Sequence, residues 1–279
     1  MNWAVDSIGG DAAIESVQTL HDDQGPWRLR VDVRGRERHF VLRSLTSRID
    51  AELIATGAAA LEVAEVHGLR APRLVAKDLD GRAAGVPATL ETVAAGNTTW
   101  PRALPVARLR AAGAALAQVH AIRLEPGPHL PLRTRPIAVD YFARDRRLGQ
   151  LPTSPLLRQA DDLIRSMPQP QGETVFVHGD VWPGNMAWTS DANCALIDWK
   201  TAGVGNPGVD LGELRKQIAI TYGATTADIV EAWEEASGTA ATNIPYWDAV
   251  AALNTPTTLY SPEATARRDA FLAAALDQL

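Results

Sequence analysis

Three oxygen-bearing side chains stand out by type and spacing: Asp180, Asn185 five residues later, and Asp198 thirteen residues after that. The first two lie in the loop His178-Gly-Asp180-Val-Trp-Pro-Gly-Asn185, which the apolar run Thr174-Val-Phe-Val177 delivers. The third closes another apolar run, Ala195-Leu-Ile-Asp198. Two carboxylates and an amide on loops beside a hairpin suit a hard divalent cation, and Mg²⁺ needs few protein ligands when phosphates supply the rest. An Asp, an Asn five residues on and a later Asp match the template of phosphoryl transfer. In that chemistry Asp180 accepts or orients the proton of an attacking hydroxyl, and Asn185 and Asp198 hold metal on the β- and γ-phosphates. Positioning and charge neutralisation do most of the remaining work. His178 reads as a brace of the loop, because Asp180 already fills the base role. A hydrolase built on Asp180 and Asp198 is the competing reading, and it leaves Asn185 unexplained.

The elements that must carry these residues follow from periodicity. The first 45 residues read as strands: Trp27 to Val33 alternates, Arg34-Gly35 turns, and Glu37 to Leu42 is β-rich, a hairpin signature. Residues 51–67 read as a helix with Asp50 as N-cap and Gly68 as stop. Pro72–Ala76 and Pro87–Val93 read as two further strands. Beyond Gly96 the texture turns helical, with Leu109, Ala112, Leu116 and Val119 on one face of a helix over 106–122. A Pro-rich connector (125–136), helical segments to Ser166 and a second Pro/Gln connector precede the catalytic loop. A small hairpin over Met186–Trp188 and Cys194–Ile197 follows, and then helices over 209–222, 226–237, 245–253 and 262–278. The expected organisation is a β-rich part over 1–93 and a larger helical part over 94–279.

Composition narrows the classes. A chain of 279 residues, 46% hydrophobic and 22% charged, is long enough for a sizeable core and is not dominated by disorder. A net charge of -6 argues against binding to nucleic-acid phosphates. One cysteine, Cys194, excludes an internal disulfide and a cysteine zinc site, and fits a reducing cytoplasm. No apolar run of 18 residues is present and the N-terminus lacks an apolar leader core, so neither a membrane partner nor an export signal is expected. Only three of the 27 basic residues are lysines: Lys77, Lys200 and Lys216.

The sequence resembles the aminoglycoside phosphotransferase/choline kinase-like enzymes. The resemblance rests on V-F-V-H-G-D-V-W-P-G-N (175–185), A-L-I-D-W (195–199) and G-N-P-G-V-D-L (205–211), with weaker support from A-A-L-A-Q-V-H (114–120), F-V-L-R (40–43) and G-L-R-A-P-R-L (68–74). It implies an α+β, bilobal, protein-kinase-like fold, with a small antiparallel-sheet N-lobe, a mainly helical C-lobe and the nucleotide in the cleft. It implies Asp180 as catalytic base, Asn185 and Asp198 as Mg²⁺ ligands, and His178 and Asp210 as braces of the catalytic loop. It also implies that Leu90-Glu91-Thr92-Val93 is the hinge whose backbone pairs with the base of ATP or GTP. The acceptor would be a hydroxylated small molecule, an antibiotic or a metabolite. A catalytically weak nucleotide-binding pseudokinase of the same fold is the alternative.

Three departures from the family pattern matter. Arg43 occupies the third-strand position where many kinases carry lysine, and arginine pairs with phosphate bidentately. The helix glutamate that usually partners this cation aligns with Gly57; Glu52 and Glu62, five residues to either side, are turned about 140° away. The loop His21-Asp22-Asp23-Gln24-Gly25-Pro26 has one glycine and two acids, a thin cradle for phosphates. For the acceptor, Asp140, Tyr141, Arg144, Asp145, Glu231, Glu234 and Glu235 are available, although the last three also suit a solvated helix face. Trp182, Trp199, Trp233 and Trp247 read as core, His120 as structural, and Asp210 as either brace or plain N-cap.

Overall fold

A computed structural model describes residues 1–20, 25–47, 49–223 and 226–279. His21 to Gln24, most of the expected phosphate loop, lie outside the described residues. The chain divides into two compact units, Met1–Ala95 with Ala195–Lys200, and Gly96–Cys194 with Thr201–Leu279.

The first unit contains α1 (Asn2–Ile8), β1 (Ala12–Thr19), β2 (Trp27–Val33), β3 (Arg36–Ser44), α2 (Ala51–Val66), β4 (Leu74–Asp78) and β5 (Ala88–Thr92). Among the described residues the strands form one antiparallel sheet in the order β1-β2-β3-β5-β4. Alternation sets its two faces. Leu29, Val31, Leu42, Ala88 and Leu90 point to one side and pack with Trp3, Ala4 and Ile8 of α1. This corrects the expectation of strands throughout the first 45 residues: residues 2–8 form a helix because Ala4 and Ile8, one turn apart, cover the sheet. The opposite face receives Ile54 and Leu61 of α2. That helix starts where its cap dictates, with Asp50 Oδ1 accepting from Leu53 N at 2.9 Å.

The second unit contains α3 (Val106–His120), β6 (Leu132–Arg133), α4 (Phe142–Arg147), α5 (Pro155–Ser166), β7 (Val175–Val177), β8 (Met186–Ser190), β9 (Asn193–Leu196), β10 (Gly203–Gly205), α6 (Gly208–Tyr222), α7 (Ala227–Ser237), α8 (Ile244–Leu253) and α9 (Pro262–Leu276). The last two residues of β9 already belong to the first unit. Helices supply the core: Leu157 and Ile164 of α5, Val209 of α6, Trp247 and Leu253 of α8 and Leu272 of α9 pack together. Proline after a serine cap fixes two of their starts, with Ser154 Oγ accepting from Leu157 N and Ser261 Oγ from Ala264 N. β7 is buried throughout and pairs with β10, which also pairs with β6. This small sheet fixes the point at which the loop of His178 and Asp180 begins.

Candidate active site

In the second unit the loop after β7 is clamped from below by Asp210. This carboxylate is fully buried in the first turn of α6. Its Oδ2 accepts from His178 N at 2.7 Å and its Oδ1 from Gly179 N at 2.8 Å. Asp210 is therefore not the cap of its own helix, whose cap position is Pro207; the carboxylate serves the loop instead. Gly179 has φ +80, and a Cβ there would lie 2.3 Å from the Thr201 carbonyl oxygen, so only glycine fits.

A second layer, read from sequence only as structural, holds Asp210. His120 ends α3, buried, with Nε2 3.1 Å from Asp210 Oδ2. Its Nδ1 accepts from Trp233 Nε1 at 2.9 Å. A ring nitrogen that accepts carries no proton, so Nε2 bears it and donates to Asp210. Burial pushes the Asp210 carboxyl up, but the bonds from His120 and His178 outweigh it and hold it below the usual range. The signal for His120 was present in sequence as the one polar residue ending an Ala/Leu helix; its partners required the tertiary fold.

His178 is fully buried, and its Nδ1 accepts from Asp180 N at 3.3 Å. Asn185, in a 3₁₀ turn over Pro183–Asn185, donates from Nδ2 to Asp180 O at 2.9 Å and to Asp180 Oδ2 at 3.1 Å. The amide nitrogen is committed to Asp180, which leaves Oδ1 as the oxygen donor. Trp182 is 41% exposed, its ring lying over the Gly184 backbone, which corrects its assignment to the core. Trp199, Trp233 and Trp247 are buried.

The first unit holds a different group of charges. Asp198 has φ +65, a left-handed conformation strained for aspartate. Arg43 Nη1 lies 3.0 Å from its Oδ1, and Lys200 Nζ pairs with its Oδ2. Arg43 Nε donates to Glu91 Oε1 at 2.7 Å. Burial pulls the Arg43 guanidinium down, and Glu91 and Asp198 more than offset it, so it stays charged. Burial in turn raises the Glu91 carboxyl above its ordinary value, against the pull of Arg43.

Sequence reasoning missed both Glu91 as the partner of Arg43 and the pairing of Lys200 with Asp198. It also placed Leu90, Glu91, Thr92 and Val93 in a hinge whose backbone pairs with a nucleotide base. Leu90 and Glu91 are flanked by β3 on one side and β4 on the other. Thr92 N donates to Arg73 O at 2.9 Å. Leu90, Glu91 and Thr92 thus lie within the sheet, and Val93 follows the end of β5.

Acidic residues of α7 form a solvated face: Glu231 and Glu235 pair with Arg110, and Glu234 accepts from Ala241 N. A cavity of about 270 Å³ in the second unit is lined instead by Arg135, Tyr141, Arg147, Asp161, Tyr246 and Asn254 among others. The strap that carries Arg135 reaches the catalytic loop, with Ile137 N donating to Gly179 O at 2.7 Å, and Asn254 Nδ2 donates to Pro136 O at 2.8 Å. A larger cavity of about 580 Å³ lies against His120 and Trp233, but its walls include none of residues 178–185.

Comparison with known proteins places this arrangement. A structure from Ralstonia eutropha JMP134, described as a candidate aminoglycoside phosphotransferase, is 17% identical with a TM-score of 0.65, covering 96% of this chain and 94% of its own. The macrolide 2'-phosphotransferase MphH from Brachybacterium faecium is 17% identical with a TM-score of 0.57, over 96% and 92%. Amicoumacin kinase hAmiN, in complex with AMP-PNP, Ca²⁺ and Ami, is 14% identical with a TM-score of 0.63, over 95% and 89%. At these identities the likeness establishes a shared, protein-kinase-like phosphotransferase fold. No curated protein matches the chain. The model of the phosphotransferase enzyme family APH matches residues 19–253, most of the chain, and the chain belongs to that family.

Proposed function

We propose that the chain is a magnesium-dependent O-phosphotransferase that moves the γ-phosphoryl group of ATP or GTP to a hydroxyl of a small molecule. The observation that carries this reading is the Asp180 carboxylate, oriented by Asn185 in a loop whose backbone N–H groups are clamped by buried Asp210. A carboxylate so fixed accepts or orients the proton of an attacking hydroxyl.

We assign Arg43 to the phosphates, and Asp198 and Asn185 to the metal. Their oxygen donors suit Mg²⁺, and Asp198 already has two cations against its carboxylate. An ion held by these oxygens would supply charge neutralisation to the phosphates. For the acceptor we assign the cavity between the Arg135 strap, α4, α5 and α8, with Trp182 as a stacking surface. Three of its lining residues are arginines, Arg135, Arg147 and Arg165, against the single acid Asp161. This composition favours a neutral or anionic acceptor over a polycationic aminosugar. The one cysteine supports a cytoplasmic setting.

The test is nucleotide consumption against a panel of cationic, neutral and anionic hydroxylated compounds. Asp180→Asn should lower turnover by about 10²–10⁴-fold while nucleotide binding stays within about twofold of wild type. Protein with Mg²⁺ that neither binds nor hydrolyses nucleotide, with Asp198→Ala indistinguishable from wild type, overturns the reading.

A further inference from the structure

In the kinase template the phosphate-pairing cation of the third strand is held by a glutamate on the following helix. Here that helix is α2, and among the described residues none of its acids reaches Arg43. Glu62 pairs with Lys77, Glu65 with Arg73, and Glu52 is exposed. The aligned position is Gly57, where a Cβ would come to 3.7 Å from the Lys200 Cα. At Gly57 the helix faces the Lys200 backbone with no side chain of its own.

We propose that Glu91 on β5 is the positioning residue for the phosphate arm, in place of a glutamate on α2. The register explains how. Arg43 pairs with Thr89 and Val41 with Glu91, so Arg43 and Glu91 are diagonal neighbours on one face of two adjacent strands. Leu42, Ala88 and Leu90 occupy the other face. Glu91 is 4% exposed, a buried carboxylate that accepts a hydrogen bond from Arg43 Nε.

The guanidinium has a rigid fork of donors. Nε donates to Glu91 Oε1, and Nη1 forms an ion pair with Asp198 Oδ1 at 3.0 Å. Of these two carboxylates, Asp198 is the one the proposed function assigns to metal, so its hold on Nη1 is the one given up when nucleotide and metal bind. The bond from Glu91 to Nε remains. It fixes the plane of the guanidinium and presents the Nη1–Nη2 edge to phosphate, the edge that pairs bidentately. A lysine at this position could not be oriented this way, having a single nitrogen. The arm is thus built on the sheet alone, and α2 is uncoupled from it.

The inference rests on the nucleotide-binding reading above, and calorimetry separates the two. The probes are AMP-PNP with Mg²⁺, and adenosine, which has no phosphate. Wild-type protein that does not bind AMP-PNP overturns the nucleotide-binding reading itself. If wild type binds, Glu91→Gln should weaken AMP-PNP by about tenfold or more and leave adenosine within about twofold. Glu62→Gln on α2 should change neither. Because Glu91 acts through Arg43, Glu91→Gln should add less than about twofold in an Arg43→Ala background. Equal losses for AMP-PNP and adenosine, no loss for either, or an undiminished effect without Arg43 each overturn the proposal. Should Glu91→Gln fail to fold, Arg43→Lys keeps the charge but loses the fork. It should weaken AMP-PNP about tenfold and spare adenosine; unchanged AMP-PNP affinity overturns the proposal.

Discussion

Asp210 is a charge with no solvent around it, kept ionised by three donors: the N–H groups of His178 and Gly179 and the imidazole of His120. Its folded pKa lies below its ordinary value, so the sign of its contribution is set. The stabilisation is fully present above the unfolded pKa of about 3.9 and is lost as pH falls through the folded one. Asp210→Asn removes the charge and turns two N–H donors toward donors already there. The variant should be less stable than wild type by about 2–4 kcal/mol at pH 7. That difference should shrink as pH drops below about 4, read as denaturation midpoints across the range. A difference that does not change with pH would show that the carboxylate's charge is not what holds the loop. His120 enters through the same carboxylate. Trp233 fixes which ring nitrogen carries the proton, so a tryptophan far from the catalytic loop in sequence sets a donor beneath it.

The helix that carries Asp210 also buries an ion pair one turn further on. Lys216 Nζ lies 2.6 and 2.7 Å from the two oxygens of Glu213, with both side chains fully buried, and Gln217 donates to the same carboxylate. Breaking such a pair costs more than removing it, because a lone buried charge is left behind. Lys216→Met should destabilise by about 3–5 kcal/mol, while Lys216→Met with Glu213→Leu should recover most of that loss; equal losses in both would show that packing dominates. Much at this scale was legible in the sequence. The β2–β3 hairpin, α2 with its Asp50 cap, and the helices of the C-terminal half carry strong periodicity, and their ends carry caps. The contact of Asn185 with Asp180 was legible because it is local, an Asp and an Asn five residues apart. What stayed hidden has a common cause. α1 is a helix only because the sheet offers Ala4 and Ile8 a surface. Glu91 meets Arg43 only through the β3–β5 register, which a separation of 48 positions in the chain does not announce. Yet one clue was available: in Ala88-Thr-Leu-Glu-Thr92 a charge alternates with residues that face the core, and a charge on a strand covered on both sides needs a partner.

At the scale of the molecule, the two compact units divide the assigned work, with phosphates and Asp198 in the first and Asp180 and the acceptor cavity in the second. The lysine shortage gives this division a test. Lys77 pairs with Glu62 on the surface, Lys216 is sealed within α6, and Lys200 stands against Asp198. Lys77 and Lys216 are taken up by carboxylates, and Arg43, paired with Glu91 and Asp198, is the cation the proposed function assigns to the phosphates. A ligand that binds only the folded chain stabilises it by about 2.7 kcal/mol at a hundred times its Kd. For a chain of this length each kcal/mol raises Tm by about 2–4 °C, so AMP-PNP with Mg²⁺ at that concentration should raise Tm by about 5–10 °C. At the same nucleotide concentration the rise should fall sharply in Arg43→Ala and in Asp198→Ala. It should persist in Asp180→Asn, which touches the acceptor's proton and not the nucleotide, and in Lys77→Ala, whose charge is spent on Glu62. If Arg43→Ala and Lys77→Ala shift alike, the phosphate arm lies elsewhere in the chain, and the pairing of Arg43 with Glu91 and Asp198 is an ion network of the sheet alone.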